Sequence, residues 1–307
     1  MNRRDWIKAT AGALMAGSVS AAEDELRIID AHTHFYDPTR PQGVPWPGKG
    51  TKLYRKVMPV DWRQQAAPHG VHETIVVEAS AWLEDNQWIL DLAAKESCIL
   101  GFVGHIEAND PAFATSLKRF GANPIFRGVR WGGAQLEAGL DQAIIGGKLL
   151  ADLGLELDVN GPAAALPAVA KLAAAVPDLR IVINHLGGSG DPQMLRPGWK
   201  ENVRDVAGCP NVFMKVSALV EQVKVAEGEA PKDTEYYLPV LDHLWECFGE
   251  DRLIYGSNWP VSDRAAPYEV VFKIVKQYFA SKGREAEKKY FWKNSKMAYK
   301  WSERDHD

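Results

Sequence analysis

The chain has 307 residues, 46% of them hydrophobic and 25% charged, with a net charge of −4. That length allows one large domain or two small ones, and the composition is ordinary for a globular protein. No basic patch or Lys/Arg run is present, which argues against a nucleic-acid partner.

The opening segment, residues 1–22, reads as a targeting sequence outside the fold. Arg3-Arg4 precede Asp5-Trp6-Ile7-Lys8, then a small, weakly apolar run closes on Ser-Ala-Ala. This is the layout of a twin-arginine export signal with a small-residue cleavage site, so the expected partner during targeting is the twin-arginine machinery and the expected destination the periplasm. The run is too short and too rich in Gly, Ala and Ser to anchor in a bilayer, and no later segment approaches the ~18 apolar residues of a span. The leader carries Arg3, Arg4 and Lys8 against Asp5, so its removal takes the net charge from −4 to −6. The expected mature part, 23–307, is a single domain. Cys98, Cys209 and Cys247 are odd in number, far apart and never CxxC, which predicts buried free thiols.

From residue 26 onward, short apolar runs alternate with amphipathic stretches. The runs are LRIIDAHTHF (26–35), ETIVVEAS (73–80), ILGFVGHIE (99–107), FRGVRW (126–131), LELDVN (155–160), RIVINH (180–185), NVFMKVS (211–217) and LIYGS (253–257). Segments such as DNQWILDLAAKES, DPAFATSLKRF and LPAVAKLAAAV between them have helical spacing, with Asp110-Pro111 as a start signal and Gly121 and Gly154 as stops. Eight strand-and-helix units predict an α/β fold of (β/α)8 TIM-barrel type. An open doubly wound sheet is the alternative, but no strand leads into a GxGxxG phosphate turn. Residues 36–62, rich in Pro, Gly and Trp, read as a lid over the barrel mouth, and 218–235 as a second polar loop.

In a barrel of this type the site lies at the C-terminal ends of the strands. Polar residues gather there: Asp30, His32 and His34; Glu78; His105 and Glu107; Arg130; Asp158 and Asn160; Asn184 and His185; Lys215 and Ser217; Asn258. Asp30, His32 and His34 alternate, which places them on one strand face and lets both imidazoles reach one centre. With His185 they form a set typical of a divalent metal such as zinc, which would activate a water. The competing reading is a group of hydrogen-bonded core histidines. The high count of 11 Trp favours a small-molecule site, since indole is a common platform for cyclic ligands.

IIDAHTHFYDP, Trp46, Pro59-Val60-Asp61, FRGVRW, INHLGG, VFMKVSAL and DRLIYGSNWPVSD together resemble the amidohydrolase-related branch of the amidohydrolase superfamily, nearest to its lactone hydrolases. The resemblance spans about residues 27–300 and implies a distorted barrel that opens a cyclic ester, with a sugar lactone as substrate. Some members of this branch use a divalent metal and others work without one. It further implies that His32, His34 and His185 bind metal or polarise substrate and that Arg130 holds substrate oxygens. Lys215 faces the same mouth and could stabilise an oxyanion. Arg130 and Lys215 also have a plainer reading, as barrel ion pairs with Asp158 or Glu78. Tyr36, Trp82, Trp131 and Trp259 are candidate faces for a sugar ring.

The chain departs from the family at Asn258, where an aspartate usually moves the proton; a neutral amide cannot be a general base. Glu78 at the end of strand two is the expected substitute, with Asp263 as alternative. A decarboxylase-type lyase, a lactone isomerase and a binding protein without catalysis remain competing readings. Replacing Arg3-Arg4 by Lys-Lys should abolish export without unfolding the barrel, and fractionation of the variant checks this: normal periplasmic recovery would rule out the twin-arginine route.

Overall fold

The computed structural model describes residues 26–304; the leader and its export signal lie outside the described residues. Eight strands are present: β1 (Ile29–Thr33), β2 (Glu73–Val77), β3 (Ile99–Gly104), β4 (Phe126–Gly132), β5 (Glu156–Asn160), β6 (Arg180–Ile183), β7 (Val212–Val216) and β8 (Leu253–Tyr255). They pair in chain order and all in parallel. Each is a nearly continuous apolar run because a barrel strand is covered by helices outside and by other strands within.

The last seam has a single bridge in place of a ladder. β8 meets β1 through the Thr33–Trp259 bridge, with the His34 N–H on the Trp259 carbonyl (3.0 Å) and the Asn258 N–H on the His32 carbonyl (2.9 Å). A small hairpin of Gly190–Asp191 and Met194–Leu195, which sequence periodicity does not reveal, lies in the loop after β6.

Helices cover the outside, among them α1 (Pro59–Ala66), α2 (Asp85–Ala93), α3 (Phe113–Gly121), α4 (Gly133–Ala138), α5 (Leu140–Asp152), α6 (Leu166–Ala175), α7 (Trp199–Ala207), α8 (Leu238–Phe248) and α9 (Tyr268–Ser281). The loop after β1, expected over 36–62, is shorter than its composition suggests. It ends at Met58, where Pro59 opens α1 and the Asp61 carboxylate accepts the Met58 N–H at 2.9 Å. Tyr36 and Val57 exchange backbone hydrogen bonds that tie the two ends of this loop together. At the opposite end of the barrel, Tyr299 and Trp301 pack with Ile29, Ala31 and Val182 and close the floor.

One local feature corrects the sequence reading of β1. Ile29 and Ala31 face the barrel interior with Ile75 and Val77, while Asp30 lies outside, bonded to Trp62 of α1 and Tyr268 of α9. A register shift between Asp30 and Thr33 breaks the alternation, so that His32 and His34 turn inward and Asp30 does not. The free cysteines are confirmed, but only Cys98 is buried.

A close approach is forced at Gly128 of β4, where an added Cβ would overlap the carboxyl and the backbone carbonyl of Glu156 on β5. Gly128→Ala is expected to destabilise the barrel by ~1–3 kcal/mol, the usual cost of overpacking. Denaturant titration checks this, and an unchanged midpoint would show that β5 can yield there.

Candidate active site

The strand ends open on a cavity of about 460 Å³ lined by His34, Trp46, Glu78, Arg130, Asn160, His185 and Asn258, with Pro45, Ala79, Ala81 and Val261. Its size suits a small cyclic ligand. A second hollow beside the loop after β1, lined in part by Tyr36, Arg40 and Asp85, holds only about 20 Å³, room for little more than a water.

Arg130 and Glu78 meet on the cavity wall. Both Nε (2.9 Å) and Nη2 (2.7 Å) of Arg130 donate to Glu78 Oε1, and Nη2 also reaches the Glu78 backbone carbonyl at 3.0 Å. The ion pair weighed from sequence therefore forms, and the guanidinium is held in one plane with its charge matched. That position does not favour an extra substrate carboxylate, but it leaves other N–H groups for a neutral oxygen.

Lys215 is a correction. It is fully buried and cannot stabilise an oxyanion in the cavity. Its ammonium donates to Asp158 Oδ2 (2.8 Å) and stands 3.3 Å from His32 Nδ1. Burial pushes the Lys215 ammonium down in pKa and Asp158 opposes this. Tyr299 donates to the other oxygen of Asp158 at 2.9 Å, so this group is satisfied from within the barrel.

The three histidines do come together: His32 lies 5.0 Å from His34 and 4.6 Å from His185, between ring centres. Each ring has Nδ1 committed, whereas His32 Nε2 is buried without a hydrogen-bond partner. An ammonium can only donate, so His32 Nδ1 accepts from Lys215 and the neutral ring carries its proton on Nε2. His34 Nδ1 donates to the Val77 carbonyl at 2.9 Å, and its Nε2 faces Asn258 at 3.2 Å. His185 Nδ1 bonds Ser217 Oγ at 2.9 Å, and its ring borders the cavity. A zinc site needs several lone pairs converging on one point. Among the described residues no three His, Cys, Asp or Glu side chains are so placed, and the arrangement does not fit a three-histidine metal site. Burial, reinforced by Lys215, Arg130 or both, holds all three imidazoles below their usual pKa, His34 down to about 4. They are neutral at neutral pH.

The aromatic predictions fare unevenly. Trp131 points out of the barrel: it is buried against Phe113 and donates to the Ile106 carbonyl at 3.1 Å. Trp259 is buried beneath Arg55, and Trp82 is 41% exposed away from the cavity lining. Tyr36 is buried at the start of the loop after β1 with its hydroxyl on the Leu53 carbonyl at 2.9 Å. The ring that does line the cavity is Trp46, edge-on to His34 and Tyr36. The resemblance already marked it without a role. Asp263 sits 3.9 Å from Arg55 on a short turn, outside the cavity lining.

Asn258 occupies the cavity edge in a left-handed backbone conformation, φ 62°. Its Nδ2 is 2.7 Å from Oε1 of Glu221, in the loop after β7. Sequence reading missed Glu221: it is one acid among several in a polar loop, and only the fold brings it to Asn258.

The amidohydrolase family model matches residues 29–301. The chain belongs to the amidohydrolase family. An L-fucono-1,5-lactonase of Burkholderia ambifaria is 30% identical over 78% of this chain and 82% of its own length. An L-fucono-1,5-lactonase of Burkholderia multivorans is 27% identical over 86% of this chain and 92% of its own. The crystal structure of an amidohydrolase from Burkholderia multivorans with bound zinc superposes with a TM-score of 0.79 and 26% identity, covering 90% of this chain and all of that one. The barrel is thus that of its amidohydrolase relatives.

Trp46→Ala should raise KM for a cyclic substrate by roughly tenfold, the scale of a lost aromatic contact. Trp131→Phe should lower thermal stability and leave KM alone. Steady-state kinetics on both variants tests the reassignment, and the reverse pattern would restore Trp131 to the site.

Proposed function

We propose that this amidohydrolase opens a neutral, sugar-derived lactone by adding water to its carbonyl. The observation that carries the reading is the charge balance of the cavity: a neutral imidazole, His185, shares it with a guanidinium already matched by Glu78. A dicarboxylate would have to displace Glu78, whereas a neutral ester carbonyl can take the remaining N–H of Arg130. The similarity to two L-fucono-1,5-lactonases supports a six-membered sugar lactone. Trp46 offers an apolar face for the ring, and Asn160 offers hydrogen bonds to its hydroxyls.

The chemistry follows from these positions. The lactone carbonyl oxygen rests on Arg130, which Glu78 keeps oriented. Water attacks the carbonyl carbon while His185 accepts its proton through the ring nitrogen facing the cavity. Burial, with the nearby Arg130 charge, keeps resting His185 neutral, and the Arg130 N–H that holds the carbonyl also favours the negative charge that develops on its oxygen. As the tetrahedral intermediate collapses, the ring C–O bond breaks and His185 returns the proton to the departing oxygen, leaving a hydroxy acid. Glu78 is therefore reassigned from base to holder of Arg130.

A relative of known structure holds zinc, and the superfamily commonly uses divalent metals. Because Nδ1 of His32 and of His34 is engaged within the protein and no three such ligands converge among the described residues, no step here is drawn through a metal. A lyase acting on acidic substrates is disfavoured by the same charge balance, and pure binding gives no reason to hold an unprotonated imidazole beside an oriented guanidinium. We further propose that the segment 36–58 closes over bound lactone through Pro45 and Trp46, and that the twin-arginine leader directs the protein to the periplasm.

A lactone panel tests the whole reading. Neutral aldonolactones should be hydrolysed at least about 10²-fold more efficiently than a carboxylated pyrone, and His185→Asn should lower kcat by ~10²–10⁴, the range for a lost general base. Activity should survive exhaustive chelation. Preference for the charged pyrone, or a fully active His185→Asn, would overturn the mechanism; a Glu78→Gln loss confined to kcat would return the base to Glu78.

A further inference from the structure

From the loop after β7, past the ends of β8 and β1, to the end of β2 runs a line of polar groups: Glu221, Asn258, His34 and the Val77 carbonyl. Adjacent heavy atoms lie 2.7, 3.2 and 2.9 Å apart. Their hydrogens can be counted. A backbone carbonyl only accepts, so His34 Nδ1 carries a proton. Burial keeps His34 neutral, which leaves Nε2 as a bare lone pair. Yet with Asn258 Nδ2 turned to Glu221, it is the amide oxygen that faces Nε2. Two acceptors would then stand 3.2 Å apart in a buried site.

Rotating the amide by 180° exchanges its oxygen and nitrogen with little change in shape. Nδ2 then donates to His34 Nε2, and Oδ1 faces Glu221 Oε1 at the 2.7 Å separation usual for an O–H···O bond. That contact requires a proton on Glu221. Every member of the line is now satisfied in one direction: Glu221 O–H to Asn258, Asn258 N–H to His34, His34 N–H to Val77.

We propose that Glu221 is a proton-bearing positioning residue that fixes the orientation of the Asn258 amide and, through it, the tautomer of His34. Its surroundings support this. Oε2 is buried and meets no donor from another residue, which suits a neutral acid far better than a carboxylate. The charged groups facing it are Arg264 and Asp263, on the turn after β8, and they act in opposite senses. Tyr237, before α8, is held protonated by burial and by Glu221 itself. Burial dominates and pushes Glu221 up to about 7. The proton is thus held below neutrality and lost as pH rises through about 7, when the amide turns its N–H back to the carboxylate. The usual aspartate of the family could not serve here: it has no N–H for His34.

The effect on turnover rests on the lactonase reading, but the hydrogen-bond line does not, and the two are tested apart. Infrared difference spectra of the whole protein should show a protonated-carboxyl band that titrates near pH 7 and is missing from Glu221→Gln. Nitrogen-15 spectra at pH 6 should show His34 protonated on Nδ1 alone. In kinetics, Glu221→Gln can still donate to Asn258 and should stay within about threefold of the parent at pH 6 while losing its alkaline fall. Glu221→Leu should lose about tenfold or more, the scale of a buried hydrogen bond left unmade. Glutamine as damaging as leucine, or no carboxyl band at pH 6, would overturn the proposal. If no lactone is turned over, the functional reading falls and the two spectra still decide the role of Glu221.

Discussion

The geometry of the mouth depends on one buried carboxyl group, Asp30, at the seam where the barrel closes. Its Oδ1 accepts the backbone N–H of Ser257 at 2.8 Å and of His32 at 3.3 Å; its Oδ2 accepts from Tyr268 at 3.1 Å and Trp62 at 3.4 Å. These donors come from β1, the end of β8 and two outer helices. Burial alone pushes the acid up in pKa, and the hydrogen bonds pull against it. β8 has only three residues, too few for a long ladder, so this side chain does the joining that backbone pairing does elsewhere. Because Asp30 draws Ser257 toward β1, the next residue, Asn258, arrives at His34.

Within that frame the charges are arranged in matched pairs at two depths. Lys215 with Asp158 lies under the histidines, sealed from solvent; Arg130 with Glu78 lies at the wall of the cavity. A buried pair of this type adds little net stability by itself, since desolvation offsets the attraction, but loss of one partner is costly. Its more telling effect is on its neighbours. Burial holds the imidazoles neutral and the two cations reinforce it, Arg130 at all three rings and Lys215 at His32 and His185, while the paired anions offset the positive charge that would draw acidic ligands. In the mechanism proposed above, the same arrangement serves both proton transfer to His185 and a preference for uncharged esters.

Much of this was legible in the sequence, for reasons that also mark where reading stopped. The eight strands are visible because each is a compact apolar run ending in polar residues, and that concentration located the mouth. Arg130 and Trp131 show an error that strand geometry could have caught: neighbours on a strand face opposite sides, so both could not reach the cavity. The bulge in β1 was not legible, since nothing in Ile-Asp-Ala-His-Thr announces that alternation breaks after Ala31. Nor was Glu221, whose meaning comes from a contact 37 positions away in the chain. Periodicity reports which face is buried; it cannot report which loops meet.

The strand ends carry one more constraint. His185, Leu186, Ala218 and Asn258 all have positive φ, between 51° and 62°, without being glycine. Such backbone costs most residues ~1–2 kcal/mol, and Asn tolerates it best after glycine. Two of the four, His185 and Asn258, line the cavity, so the strain is concentrated where side chains must turn inward from a strand that has ended. Asn258 therefore answers two demands at once. Its backbone accepts the left-handed turn, and its amide offers a donor and an acceptor to different neighbours. Aspartate would meet the first demand but not the second, because its carboxyl has no N–H to give to one neighbour while it accepts from the other.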